Sequence, residues 1–71
     1  PNPVLHAVRV QWQGTSLVDL LELRDITGRL VRSIPVSGND SFVLDMSGLN
    51  RGWYLLQYIG RTTGTLRLLK E

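Results

Sequence analysis

Leu21-Glu22-Leu23-Arg24-Asp25-Ile26-Thr27-Gly28-Arg29-Leu30-Val31-Arg32 decides the fold class of this 71-residue chain. Leu21 and Leu23 alternate with Glu22 and Arg24. That period of two sets one face of an extended strand in a core and the other in water. Asp25-Ile26-Thr27-Gly28 then interrupts with turn chemistry. Asp at the first position bonds forward to backbone N–H groups, and Gly at the last takes positive φ without a Cβ penalty. Leu30 and Val31, followed by Arg32 and Ser33, resume an extended run. The order strand, tight turn, strand is a β-hairpin. Pro35 closes it or puts its second strand at a sheet edge, because Pro has no N–H for a ladder.

The same punctuation continues in both directions. Gly falls at 14, 28, 38, 48, 52, 60 and 64, with strand-length apolar runs between. The runs predict six strands: Val4–Trp12, Val18–Arg24, Arg29–Ile34, Ser41–Met46, Trp53–Ile59 and Leu66–Lys70. Val8, Val10 and Trp12 are the expected inner face of the first, with Arg9 and Gln11 in water. Phe42, Leu44 and Met46 share one face of the fourth, and Asp45 faces solvent. Ser37-Gly38-Asn39-Asp40 is a polar loop. Ser47 to Gly52 is a crossover with Leu49 tucked beneath it, and Gly60 to Gly64 is the last hairpin loop. The best helical segment, Leu17 to Leu23, is too short to compete.

The fifth strand is apolar on both faces. Tyr54, Leu56 and Tyr58 lie on one; Trp53, Leu55 and Ile59 lie on the other, interrupted only by Gln57. A chain this short has too little material to cover both faces, so Trp53 and Leu55 are expected to be partly exposed. Trp53 is either an interaction residue or a lid over the Leu49 crossover. In the sixth strand Leu66 and Leu68 face one way and Leu69 the other. One-faced antiparallel strands pair their faces most economically in a two-sheet sandwich of six to seven strands. A seventh strand would lie within Val36–Asp40 or before Pro1. A small barrel is the alternative, which periodicity does not separate.

Length and composition bound the function. Residues 1–71 suffice for one domain, which buries only roughly 60 % of the surface of its unfolded form. With no Cys there is no disulfide framework and no thiolate metal site. No apolar run approaches the roughly 20 residues of a membrane-spanning helix. No basic segment followed by an apolar one marks a signal peptide. The start at Pro1 points to a mature or excised piece of a longer protein. Lys and Arg total 8 against 6 Asp and Glu. These cations are scattered and the net field is weak, which argues against nucleic acid. Arg24, Arg29 and Arg32 straddle one turn and are the best anionic-ligand trio; the competing role is a solvated strand surface. His6, the single His, is read as a strand-end residue, without a nucleophile elbow or a partner for a catalytic triad. Asp19, Asp25, Asp40 and Asp45 are separated by strands or loops, and there is no phosphate-binding loop or EF-hand. Asn39-Asp40-Ser41 matches the glycosylation pattern, which matters only in eukaryotic secretion. No cofactor and no enzymatic activity are expected.

Taken together, several segments resemble one family. They are Pro1-Asn2-Pro3; Leu21 through Val31 with its Asp25-Ile26-Thr27-Gly28-Arg29 turn; Leu44-Asp45-Met46-Ser47-Gly48-Leu49-Asn50-Arg51-Gly52-Trp53-Tyr54-Leu55-Leu56; and Leu66-Arg67-Leu68-Leu69-Lys70-Glu71. Their order is similar to that of the C-terminal sorting domains of the type IX secretion system (the Por secretion tail, type A). Arg24 stands where the family often has an aromatic or apolar residue, and Trp53 where Val, Ile or Met is usual. The resemblance implies a small immunoglobulin-like β-sandwich at the end of a cargo protein. It implies passage through the periplasm, then display at the outer membrane or cell surface, or release outside. The implied partners are the outer-membrane translocon, a shuttle protein and a sortase-like peptidase that often removes the tail. Neither nucleic acid nor direct membrane insertion is implied. Asp25, Gly28, Gly48, Gly52 and Tyr54 would be architectural. The expected partner-binding residues are Trp53, Leu55, Leu66, Leu68, Leu69 and Lys70, with self-association in isolation a consequence of sticky strands. The alternative is an immunoglobulin- or fibronectin-like accessory or carbohydrate-binding module of an extracellular enzyme.

Overall fold

A computed structural model describes residues 6–12, 18–38 and 40–71, and in it the stretch from Leu21 to Arg32 is a hairpin. The strands are β1 (Ala7–Gln11), β2 (Val18–Asp25), β3 (Leu30–Pro35), β4 (Ser41–Asp45), β5 (Gly52–Gly60) and β6 (Gly64–Lys70). The predicted start of the first strand at Val4 lies outside the described residues. Val36, Ser37 and Gly38 form no seventh strand, and Asn39 also lies outside.

The β2–β3 turn closes as its chemistry requires. The Asp25 carboxylate accepts the N–H groups of Thr27 at 2.9 Å and Arg29 at 3.1 Å. Gly28 adopts φ 91°, and its N–H donates to the Asp25 carbonyl at 3.0 Å. β2 pairs antiparallel with β3 on one side and with β5 on the other, and β5 pairs with β6, giving the order β3-β2-β5-β6. β1 and β4 form a second antiparallel pair. Among the described residues no ladder joins the two sheets, so they are stacked layers and not a closed barrel. The molecule is 16 Å across its thinnest axis, in keeping with two sheets packed about 10 Å apart.

The chain changes layer three times. β1 leads to the β2–β3 hairpin, β4 returns to pair with β1, and β5–β6 rejoins β2. Pro35 sits at the end of β3, which bonds only to β2, so its missing N–H leaves no gap in a central ladder. The Val36 N–H then donates to the Asp19 carbonyl at 2.9 Å. Val36 is thereby drawn into the core, although it precedes a polar loop.

The core fills the space between layers. Val8, Val10, Leu44 and Met46 come from the β1–β4 side. They meet Val18, Leu21, Leu23, Tyr54, Leu56 and Leu68 of the larger sheet, with Trp12, Phe42, Leu49 and Tyr58 packed at the margins. Leu21, Leu23, Leu44 and Leu56 are all essentially inaccessible to water. Burying each contributes roughly 1.5–3 kcal/mol, which is how so short a chain offsets its ordering entropy. Leu23 pairs with Arg32 while Arg24 pairs with Leu30, so Val31 is the extra residue of a bulge. The bulge lets Val31 pack against the core while Leu30 stays exposed.

Candidate functional site

Directly opposed residues in an antiparallel ladder point to the same side. The registers therefore define what the larger sheet turns away from the core. Arg67 opposes Leu55, Leu55 opposes Arg24, and Arg24 opposes Leu30. This row crosses all four strands. Beside it Leu69 opposes Trp53; on its other side Thr65, Gln57, Glu22 and Ser33 make a polar row. The half of the outer face nearest the β2–β3 turn is thus apolar, with cations set into it.

That half is open to solvent. Ile26 is 76 % exposed, Trp53 46 %, Leu30 45 % and Leu55 37 %. Ile26, Trp53, Leu55 and Arg67 line a shallow cleft of about 250 Å³. The Arg67 guanidinium carbon lies 5.8 Å from the centroid of the Trp53 ring, within cation–π range. Arg24 is fixed from below: it donates to the Glu22 carboxylate at 3.2 Å and to the Gly28 carbonyl at 3.0 Å. The arrangement offers a flat apolar platform with two planar cations.

The adjoining end of the sandwich is built from one device used twice. Asp25-Ile26-Thr27-Gly28 and Asp45-Met46-Ser47-Gly48 share the pattern Asp-x-Thr/Ser-Gly. In each, the carboxylate accepts both the N–H and the hydroxyl of the residue two positions on. Gly48 takes φ 82°, matching Gly28. The Thr27 hydroxyl, then the backbone N–H groups of Arg29 and Thr27 and the Arg29 charge, outweigh desolvation and hold the Asp25 carboxyl below its ordinary value. The Ser47 hydroxyl and N–H, with smaller help from Arg32 and His6, do the same for Asp45. Asp25, Leu49, Arg51 and Trp53 line a further cleft of about 290 Å³ where the loops meet.

The residues expected to bind a partner do not share one surface. Trp53 and Leu55 are on the outer face, as their alternation implied. Leu66 is 44 % exposed but opposes Leu56, on the side facing the other layer. Leu68 also faces that layer; at 5 % exposure it is core, which removes its side chain from any docking surface. Lys70 is buried on the same side, its Nζ donating to the Glu71 carbonyl at 2.8 Å. Leu69 faces outward beside Trp53 and is half-buried. Trp53 lies on the outer face beside Leu69, and it also borders, with Leu49, the cleft where the loops meet.

Of the architectural set, Gly28, Gly48 and Gly52 all have positive φ, Asp25 braces its turn, and Tyr54 is buried. The basic trio does not converge as a ligand site. Arg24 is engaged within the turn region, Arg29 pairs with Asp25 at 3.3 Å, and Arg32 is exposed on β3. Sequence reasoning missed Ile26, Leu30 and Arg67 as parts of the outer face. The parity of β6 carried the signal for Arg67, since it stands between Leu66 and Leu68. Among the described residues no group of three or more His, Cys, Asp or Glu is placed to hold a metal ion.

Comparison with known protein families matches residues 1–69 to the secretion system C-terminal sorting domain, of the Por secretion tail type. No curated protein and no solved structure matches the chain.

Proposed function

Because this chain belongs to the family of secretion system C-terminal sorting domains, we propose that it carries a cargo protein through the outer-membrane type IX translocon and has no catalytic role of its own. The coarse assignment follows from membership: a C-terminal type IX sorting signal engages that secretion machinery and is exported toward the outer membrane or cell surface. The finer steps are our own. The cargo waits in the periplasm, a shuttle protein and the translocon bind the folded tail, and a sortase-like peptidase removes it during surface anchoring.

The observation that carries this reading is the family match over residues 1–69. The exposed platform around Trp53 and Leu55 is what an address needs, since recognition of a folded signal uses a surface and not a pocket. The test is an export assay in a bacterium with a type IX system. Residues 1–71 are fused behind a periplasm-directed fluorescent protein, beside a twin lacking Leu66–Glu71. Only the intact fusion should reach the cell surface. That deletion also removes the core residue Leu68, so Trp53→Ser and Leu69→Ser are run alongside and checked for folding. If the intact fusion stays in the periplasm while folded, the accessory-module reading replaces this one. If folded Trp53→Ser and Leu69→Ser export normally, the signal lies elsewhere on the domain.

A further inference from the structure

We infer that β4 is a self-pairing edge: a second copy of the chain lays its own β4 antiparallel alongside, joining the two-stranded sheets of both copies into one sheet in the order β1-β4-β4-β1. The inference is independent of the sorting reading. It also differs from self-association through β5 and β6, which the sequence suggested.

Hydrogen bonds fix which backbone groups β4 offers. In an antiparallel ladder, residues that exchange two bonds with one neighbour alternate with residues that turn those groups the other way. The Trp12 N–H bonds to the Asp40 carbonyl at 3.0 Å, and the Met46 N–H bonds to the His6 carbonyl at 2.7 Å. Phe42 and Leu44 are therefore the β4 residues bonded to β1. Ser41, Val43 and Asp45 turn their N–H and C=O groups away from it. Among the described residues no second strand pairs with β4. The side chains of the same three residues alternate with core-facing Leu44, and Val43 is 50 % exposed.

Sheet edges commonly carry a guard against pairing. β3 has its bulge at Val31 and ends on Pro35. β1 has Arg9 at its centre. Its outward backbone groups belong to Ala7, Arg9 and Gln11, so two copies of β1 centred on each other would set Arg9 against Arg9, a like-charge pair. β4, Ser41-Phe42-Val43-Leu44-Asp45, has neither Pro nor a cation.

A second copy is the occupant because this edge complements itself about a two-fold axis. Centred on Val43, the pairing sets Val43 against Val43 and each Ser41 against Asp45 of the other copy. All three pairs join residues whose backbone groups point outward, so all three are bonded pairs. Both Ser47 bonds to the Asp45 carboxylate end on Oδ1, which leaves Oδ2 to accept the Ser41 hydroxyl. Arg9 lies across the ladder from Val43 in each copy. The two β1 strands would be three spacings apart, about 14 Å, beyond the Debye length of about 8 Å at physiological salt. An edge of five residues is small beside the ~1,000 Å² of a stable interface. The dimer is therefore weak, present at about 1 mM and absent at about 10 μM.

The test uses the 71-residue chain across that concentration range, with its size followed by NMR diffusion and its amides by hydrogen exchange. Diffusion should slow as concentration rises. The N–H groups of Val43 and Asp45 should gain protection, whereas those of Phe42 and Leu44, already bonded to β1, should change little. Val43→Lys, at an exposed position, should keep the fold and abolish the dimer. Ser41→Lys, facing Asp45 of the other copy twice per dimer, should tighten it about three- to ten-fold, a gain that fades with salt. Ser41→Asp should weaken it by a similar factor. Opposite signs at one position report pairing and not folding. A chain that stays monomeric at 1 mM overturns the inference. So does a dimer that folded Val43→Lys leaves intact, protection centred on Trp53 and Leu55, or the same response to Ser41→Lys and Ser41→Asp. Export of the folded Val43→Lys fusion bears only on the sorting reading, which requires no dimer.

Discussion

The phenol of Tyr54 donates a hydrogen bond of 2.7 Å to the backbone carbonyl of Asn50. The ring is in the core of the larger sheet, and Asn50 lies in the loop that brings the chain from the β4 layer into β5. One side chain therefore ties the layer change to the strand that follows, much as the tyrosine corner does in other β-sandwiches. Tyr54→Phe keeps the packing and removes the donor. A hydrogen bond of this kind contributes about 1 kcal/mol, which lowers Tm by about 4–8 °C in a domain of this size. Thermal unfolding followed by circular dichroism measures it. An unchanged Tm would mean that Leu49, with its N–H bonded to the Met46 carbonyl at 3.2 Å, holds the loop alone.

The paired Asp turns make stability depend on acid. Both carboxyls titrate below their ordinary value of 3.8 when folded. A group whose folded pKa is depressed stabilises fully above its unfolded pKa, and that contribution is lost as pH falls through the folded one. Acidification from neutral should thus leave Tm unaffected by these residues until the pH nears 3.8, then lower it progressively. Asn keeps an oxygen that accepts backbone N–H groups but does not titrate. The Asp25→Asn, Asp45→Asn double variant should be less stable than wild type at neutral pH and show a flatter Tm profile below the titration range. Parallel profiles for the two proteins would exclude these turns as the origin of acid sensitivity.

Glycine is needed at Gly28 and at Gly64 for different reasons, and the two can be separated. At Gly28 nothing lies within 4 Å of an added Cβ, but φ is +91°. At Gly64 the backbone is ordinary, while an added Cβ would overlap the Tyr58 ring of the opposing strand. Gly28→Asn should therefore cost less than Gly28→Ala, because Asn enters the left-handed region more readily. Gly64→Ala should cost about 1–3 kcal/mol, as overpacking does. In a Tyr58→Ala background the Gly64→Ala cost should nearly vanish, a coupling that a double-mutant cycle in urea reads directly. Additive costs would mean that the ring does not restrict this position.

Alternation made much of the fold legible. It placed Val8, Val10, Leu21, Leu23, Leu44 and Leu56 in the core, and turn chemistry located the β2–β3 hairpin. It also marked Trp53 and Leu55 as facing away from the core. Strand partnership was not legible, because which strands share a sheet is decided by contacts between distant segments: β1 finds β4 across an intervening hairpin. Leu30 and Val31 could not be assigned to faces, since the bulge that separates them depends on the β2 register. Val36 was placed in the stretch that could hold a seventh strand; it forms none, yet its N–H bonds to the Asp19 carbonyl beside the end of β3. The Asp45-Met46-Ser47-Gly48 turn was legible in principle, because it repeats the pattern at Asp25 twenty positions on. The outer face was only half visible: Leu68 and Lys70 were grouped with Leu69 by proximity in sequence, whereas strand parity divides them.

That parity yields a last prediction, on neighbouring leucines of β6. Leu68 opposes Tyr54 on the inner side and is 5 % exposed; Leu69 opposes Trp53 on the outer side. Truncating a core Leu costs about 2–5 kcal/mol through lost burial and the cavity left behind. Losing an outer cross-strand contact costs about 0.2–1 kcal/mol. Leu68→Ala should therefore lower the urea midpoint several-fold more than Leu69→Ala. The fusions should diverge the other way once stability is accounted for. Leu69→Ala, still folded, would report on contact at the outer face, whereas any export loss in Leu68→Ala should track its unfolded fraction and recover at lower temperature. Equal destabilisation by the two substitutions would mean that the outer face beside Trp53 is as tightly packed as the core, and would remove the physical basis for assigning contact to that side of β6.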